Sequence, residues 1–262
     1  MSGNDTNEPR VAVVTGAGRG IGRAIAERLS LEGFALELTG LDGAELAETA
    51  HALSHHGPVY AASCDFRRRD ELDRWLAELA ARRPRIDVLV HNAGVGGPDP
   101  EDDRALLTHL DHLLEVNASA VHRITRELAP CLAEDGRGRV VIVASVLGKM
   151  GVPGFSAYCA SKAAAIGLAR AMALDLAKRS ITVNAVCPGW TDTAMALQGF
   201  EAIAAAGDGD AARARAEVER GLPLGRIVRP DEVAGLVAFL AGPDAGAMTG
   251  QALTMSAGDL QK

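Results

Sequence analysis

Aromatic residues make up only 3% of this 262-residue chain, with two tryptophans, two tyrosines and five phenylalanines. A core with so few rings must be built from Ala, Val, Leu and Ile. Cysteine is scarce as well: four residues at unrelated spacings form no disulfide framework. No apolar run reaches the roughly 18 residues that cross a bilayer, and Met1–Arg10 is polar, without the apolar stretch of a signal peptide. The expected setting is therefore a reducing cytoplasm, away from membranes. Basic residues are not in excess: 27 Lys and Arg face 34 Asp and Glu, for a net charge of −7, which argues against general nucleic-acid binding. The chain does have a 48% apolar content, enough for a large core, and 29 glycines, which mark places where backbone approaches something closely.

Short apolar runs alternate with longer helical patterns. Strands are expected at Val11–Thr15, Phe34–Thr39, Val59–Cys64, Ile86–His91, Val140–Ala144, Ile181–Val186 and Ala252–Met255. Helices are expected over Gly20–Leu31, Ala44–His55, Asp70–Ala81, Leu106–Ala133, Ala157–Lys178 and Glu232–Leu240. This alternation implies parallel strands with crossover helices, and the nearly continuous apolar strands imply a sheet covered on both faces. The expectation is a single α/β domain, a doubly wound sheet of about seven strands. Ala194–Gly221 fits no strand, and because it follows a strand end it reads as a substrate lid rather than a surface helical excursion.

The first strand runs into Thr15-Gly16-Ala17-Gly18-Arg19-Gly20-Ile21-Gly22. A strand, a glycine turn and a helix N-terminus form an anion site, where N–H groups and the helix dipole meet a pyrophosphate. The spacing is G-x-x-x-G-x-G through Gly16, Gly20 and Gly22, not G-x-G-x-x-G. Further on, Tyr158 and Lys162 stand four apart on an expected helix, on one face. A free tyrosine with a pKa near 10 is a poor acid–base at neutral pH, and a neighbouring ammonium should lower that value. Ser145 falls just past the end of the fifth strand, where ligands bind in such sheets, and its hydroxyl can meet a substrate carbonyl oxygen.

Together these segments resemble the short-chain dehydrogenase/reductase family from about Val11 to Gly258. The turn is followed in order by Asp65, Asn92-Ala93-Gly94, Asn117, Ser145, Tyr158-Cys-Ala-Ser-Lys162 and Pro188-Gly189 with Thr193. The resemblance implies that Tyr158 donates the proton, Lys162 binds the nicotinamide ribose and tunes Tyr158, Ser145 orients the oxygen and Asn117 holds a relay water. It also implies cofactor contacts from Gly16, Arg19, Gly20, Ile21, Gly22, Thr39, Asp65, Phe66, Asn92, Ala93, Gly94, Pro188, Gly189, Thr191 and Thr193, with Asp65 and Phe66 at the adenine. The family's NAD-selecting carboxylate position falls on Gly40, while Arg19 and Thr39 resemble the arrangement in NADPH-using ketoacyl reductases. NADPH is thus the expected cofactor, although Leu41 occupies a position that is often basic and Asp42 is close.

The pattern is most similar to 3-oxoacyl-(acyl-carrier-protein) reductases and polyketide ketoreductases. Two departures are Ser256-Ala257-Gly258 where Asn-Gly-Gly is usual, and Gly136 where a basic residue often stands. The alternative is an NAD(P)-dependent alcohol dehydrogenase oxidising a hydroxyacyl, sugar, steroid or aromatic alcohol; a non-catalytic nucleotide-binding scaffold is a third class. The resemblance also implies a homotetramer and a small carbonyl or alcohol substrate, thioester-linked ones included. His91 reads as a packed residue, Cys159 as packing, Asp99–Asp103 as a solvated loop and helix start, and the histidines at 55, 56, 109 and 112 as solvated faces with no metal.

Overall fold

The computed structural model describes residues 9–207 and 209–260. Seven strands, β1 (Val11–Thr15), β2 (Ala35–Gly40), β3 (Val59–Ser63), β4 (Val88–His91), β5 (Arg139–Val143), β6 (Thr182–Pro188) and β7 (Ala252–Met255), form one sheet. All its pairings are parallel, in the order β3-β2-β1-β4-β5-β6-β7. The chain winds outward from β1 to β3, then returns to place β4 on the other side of β1. The loops leaving β1 and β4 therefore diverge and open a crevice at the carboxyl ends of the strands.

Side chains alternate between two packed layers, as period-two strands require. On β1, Ala12 and Val14 join a layer with Ile25, Leu29, Val233 and Val237, whereas Val13 joins Leu76, Ile124, Ile142 and Ala169 on the opposite face. The first layer comes from α1 (Gly20–Leu31), α2 (Gly43–Leu53) and the C-terminal helices. The second comes from α3 (Arg69–Arg82) and the helices between β4 and β6. The helices expected over Leu106–Ala133 are α4 (Asp103–Leu114), a π-helical turn (Glu115–Ser119) and α5 (Ala120–Leu128). The long helix that follows β5 is α6 (Ser156–Leu176). The segment expected as a lid forms two helices, α7 (Ala194–Ala206) and α8 (Ala211–Gly221), ahead of α9 (Pro230–Ala241). It is docked rather than free. Ala196, Phe200 and Ala204 bury one face of α7, Phe200 stacks on Trp190 at 4.8 Å, and Arg215 of α8 bonds Asp192 at 2.9 Å.

His91 is packed at the end of β4, with Nε2 2.8 Å from Thr125 Oγ1. That hydroxyl donates to the Val121 carbonyl at 2.9 Å, so the ring must be the donor through Nε2–H. Burial pushes His91 down to about 3. Below pH about 6.5 the unfolded chain takes up a proton that the native ring refuses, so stability falls as the pH drops from there toward 3. Urea unfolding at pH 7 and pH 5 should show a loss of about 2 kcal/mol from this residue. His91→Gln keeps a donor and does not titrate; an equally steep acid loss in that variant would contradict the assignment.

Candidate active site

The glycine turn leads from β1 into α1. Arg19, the residue before α1, is extended and makes no side-chain cap, and the first turn of α1 holds no acidic residue. The amides of that turn thus face the crevice without a side-chain acceptor. Gly16 lies at φ +65°, and a Cβ there would stand 2.7 Å from the Ala93 Cα. At Gly22 a Cβ would sit 2.0 Å from the Gly16 carbonyl oxygen. The glycines of the turn are thus required by contacts within the protein itself. The brace is completed from β4: Thr15 Oγ1 accepts from the amides of Asn92 (3.1 Å) and Ala93 (3.0 Å), and Asn92 Nδ2 donates to the carbonyls of Thr15 (3.1 Å) and Gly16 (3.0 Å). A rigid, uncapped helix N-terminus at a sheet switch point fits a dinucleotide pyrophosphate. Ile21 is half-buried against the core, and Gly20 faces Thr193, whose methyl would lie 3.2 Å from an added Cβ.

The end of β2 differs from the expectation. Thr39 is fully buried and its hydroxyl has no partner, so it is not presented to a phosphate; its position in the strand turns it into the sheet's covered face. Arg19 is exposed and pairs with Glu45 at 3.2 Å. The Asp42 carboxylate is used to cap α2, accepting from Ala44 N at 2.8 Å and Glu45 N at 3.1 Å. Beyond β3, Asp65 pairs with Arg67 at 2.6 Å, and that hydrogen bond holds its carboxyl below the usual range. The Phe66 ring is buried, 6.0 Å from Trp75, in the layer that α3 covers.

Ser145, Tyr158 and Lys162 come together at the carboxyl ends of β5 and β6. Ser145 starts the short 3₁₀ turn Val146–Gly148 and accepts from Leu147 N at 3.1 Å. Tyr158 stands in the first turn of α6, and the neighbouring Ser145 side chain acts to lower its phenol pKa. The residue is half-buried, and burial pushes its phenol up to about 12. This reverses the lowering expected from Lys162. The ammonium stands 5.8 Å from the Tyr158 ring centre and donates to the Val143 carbonyl at 3.1 Å, while burial brings Lys162 down to about 8. Desolvation is the largest cause of both shifts.

Asn117 lies in the π-helical turn, a distortion frequent at functional sites. Its Nδ2 donates to the Val95 carbonyl (2.8 Å) and Ser161 Oγ (3.0 Å), and its Oδ1 accepts from Val95 N (2.9 Å). Both amide hydrogens are thus engaged, and the side chain holds the loop after β4. An added Cβ at Gly94 would meet Lys162 Nζ at 3.1 Å, and one at Gly189, just after Pro188, would meet Ser256 Cβ at 3.0 Å. Thr191 Oγ1 donates to the Gly189 carbonyl at 3.0 Å, and Thr193 Oγ1 caps α7 by accepting from Ala196 N at 3.3 Å. One contributor escaped the sequence reading, and a second, Asp99, was expected only in a solvated loop. Gly96 lies on the Tyr158 ring, where a Cβ would be 3.0 Å from Cε2, and Asp99 bonds the start of α6. The Gly96-Gly97 pair was the only signal for the first, and the absence of a capping residue before Ser156 was the only signal for the second.

Among the described residues, no three His, Cys, Asp or Glu side chains are grouped to hold a metal, and no helix is long and apolar enough to cross a membrane. A family model described as enoyl-(acyl carrier protein) reductase matches residues 16–259. The chain is 38% identical over 256 residues to a protein of Streptomyces coelicolor named provisionally as a ketoacyl reductase, covering 97% of this chain and 98% of the other. It is 33% identical over 252 residues to a 3-oxoacyl-[acyl-carrier-protein] reductase of Synechocystis sp., covering 95% and 96%. Among solved structures it is similar to a variant of actinorhodin polyketide ketoreductase with NADPH, at a TM-score of 0.88, 36% identity and 98% coverage of both chains.

Proposed function

The chain belongs to the short-chain dehydrogenase/reductase family of oxidoreductases, and from that premise we propose that it is an NADPH-dependent ketoreductase acting on a 3-oxoacyl or polyketide-type carbonyl. The observation that carries the reading is the Tyr158 phenol beside Ser145, with the buried Lys162 ammonium 5.8 Å from its ring centre. The nicotinamide, when bound, supplies the hydride. The protein's own work is on the carbonyl oxygen. Ser145, at the end of β5, orients that oxygen toward the phenol. Tyr158, pushed up to about 12, keeps its proton at neutral pH and can give it to the oxygen as negative charge develops there. Lys162 is a cation below about pH 8 and stabilises the phenolate left behind. Asn117, through Val95, fixes the loop facing Tyr158.

The substrate class is supported by the ketoacyl and 3-oxoacyl reductases among the relatives. The NADPH assignment is supported by exposed Arg19, by Gly40 in place of a carboxylate, and by the NADPH named with the similar ketoreductase structure. We assign the chain to the cytoplasm as a homotetramer, and exposed Leu107 on α4 and Leu174 on α6 are side chains that contacts between copies would cover. A steady-state panel of β-ketothioesters, ketones and secondary alcohols with both cofactors tests the activity. NADPH should be used at least tenfold more efficiently than NADH, and Arg19→Ala should lose about tenfold with NADPH alone, because a charge-assisted phosphate contact is removed. A tenfold preference for NADH would remove the basis for Arg19's role.

A further inference from the structure

We propose that Asp99 is a positioning residue for Tyr158, supplying from a distant loop the N-cap that α6 lacks in its own sequence. The first amides of a helix have no intrahelical acceptor. The residue preceding α6 is Phe155, whose side chain cannot accept, and it makes no cap. Asp99, 57 positions before Ser156, fills the role: Oδ2 accepts from Ser156 N at 2.6 Å and Ser156 Oγ at 2.7 Å, and Oδ1 accepts from Ala157 N at 3.1 Å. Its own amide donates to the Gly154 carbonyl at 2.7 Å, so the loop is also tied to the approach of the helix. A carboxylate at this helix end is favoured by the macrodipole. Burial works to raise the Asp99 carboxyl, but the bonds from Ser156 and Ala157 outweigh it and hold it below the usual carboxylate range.

Tyr158 is the next residue after these two amides. The stretch from Val95 to Asp99 spans its ring like a strap. Asn117 holds the strap at Val95 by both backbone groups, Gly96 lies on the ring, and Asp99 pins the far end to the helix. The cap therefore keeps the first turn of α6 wound and the phenol directed at Ser145. Loss of the carboxylate releases two amides at the point where fraying would carry Tyr158 away from the reacting oxygen.

The inference rests on the reductase reading for its kinetic arm only. In the full-length chain, Asp99→Ala should lower kcat at least tenfold, leave NADPH affinity by fluorescence titration within twofold, and speed hydrogen exchange at the Ser156 and Ala157 amides. Asp99→Asn retains one acceptor oxygen and should recover kcat to within about threefold of wild type; it also serves if the alanine variant does not fold. Unchanged kcat and unchanged exchange in Asp99→Ala would overturn the proposal, as would an Asp99→Asn chain that folds normally yet shows no rescue. If wild-type protein reduces no carbonyl, the function reading fails by itself, and the exchange comparison still decides the role of Asp99.

Discussion

Tyr158→Phe is expected to lower kcat for carbonyl reduction by on the order of 10²–10⁴-fold, the range contributed by a positioned general acid. The substitution removes one oxygen and keeps the ring on Gly96, so the packing of the loop after β4 should survive. Lys162 donates to the Val143 carbonyl and Asn117 is bonded to Val95, so neither points its bonded hydrogens at Ser145. Nucleotide affinity, measured by fluorescence titration, should stay within threefold. The wild-type profile has a definite sign: Tyr158 remains protonated up to about 12, whereas Lys162 loses its charge on passing about 8. Reduction should therefore fall as pH rises beyond about 8. Full turnover in Tyr158→Phe would move the acid elsewhere.

Gly22→Ala should be among the most damaging single-methyl additions in the chain. Propensity points the other way, since alanine is favoured over glycine in a helix by about 1 kcal/mol. Packing decides against it. The added Cβ would stand 2.0 Å from the Gly16 carbonyl oxygen and 2.4 Å from Asn92 Nδ2. Neither is the free end of a flexible side chain, because the Asn92 amide itself donates to the carbonyls of Thr15 and Gly16. Relief requires the turn to open and β4's loop to part from β1, which we expect to cost about 3 kcal/mol in urea unfolding. Nucleotide affinity should fall more than tenfold. Gly235→Ala on α9, where an added Cβ meets nothing within 4 Å, is the control and should gain up to about 1 kcal/mol. Equal behaviour of the two variants would refute the steric account of the turn.

Much of the fold is legible from local pattern. β1, α1 and β7 stand where the sequence reading places them, and most other boundaries move by one or two residues. Side-chain chemistry accounts for two local departures from the pattern. Asn117 binds Val95 across the crevice, and the chain accommodates it with a π-helical turn inside an otherwise helical pattern. Arg139 begins β5 although it is charged, because the carbonyls of Gly136, Gly138 and Gly242 receive its guanidinium.

The sequence by itself determined the order of strand and helix, the glycine turn, and the presence of Ser145, Tyr158 and Lys162 at strand-end and helix positions. These depend on spacing and residue type, which are properties of a single stretch of chain. Only the tertiary structure decided that Phe66 and Thr39 turn inward, that burial rather than Lys162 dominates the Tyr158 phenol, and that Asp99 caps the helix carrying it. Those outcomes depend on which face of the sheet a residue meets and on partners far away in sequence. Asp99 is 57 positions from Ser156, and the bonds between Asn92 and Thr15 span 77. Desolvation and long-range hydrogen bonding exist only once the crevice has been assembled, so local spacing carries no record of them.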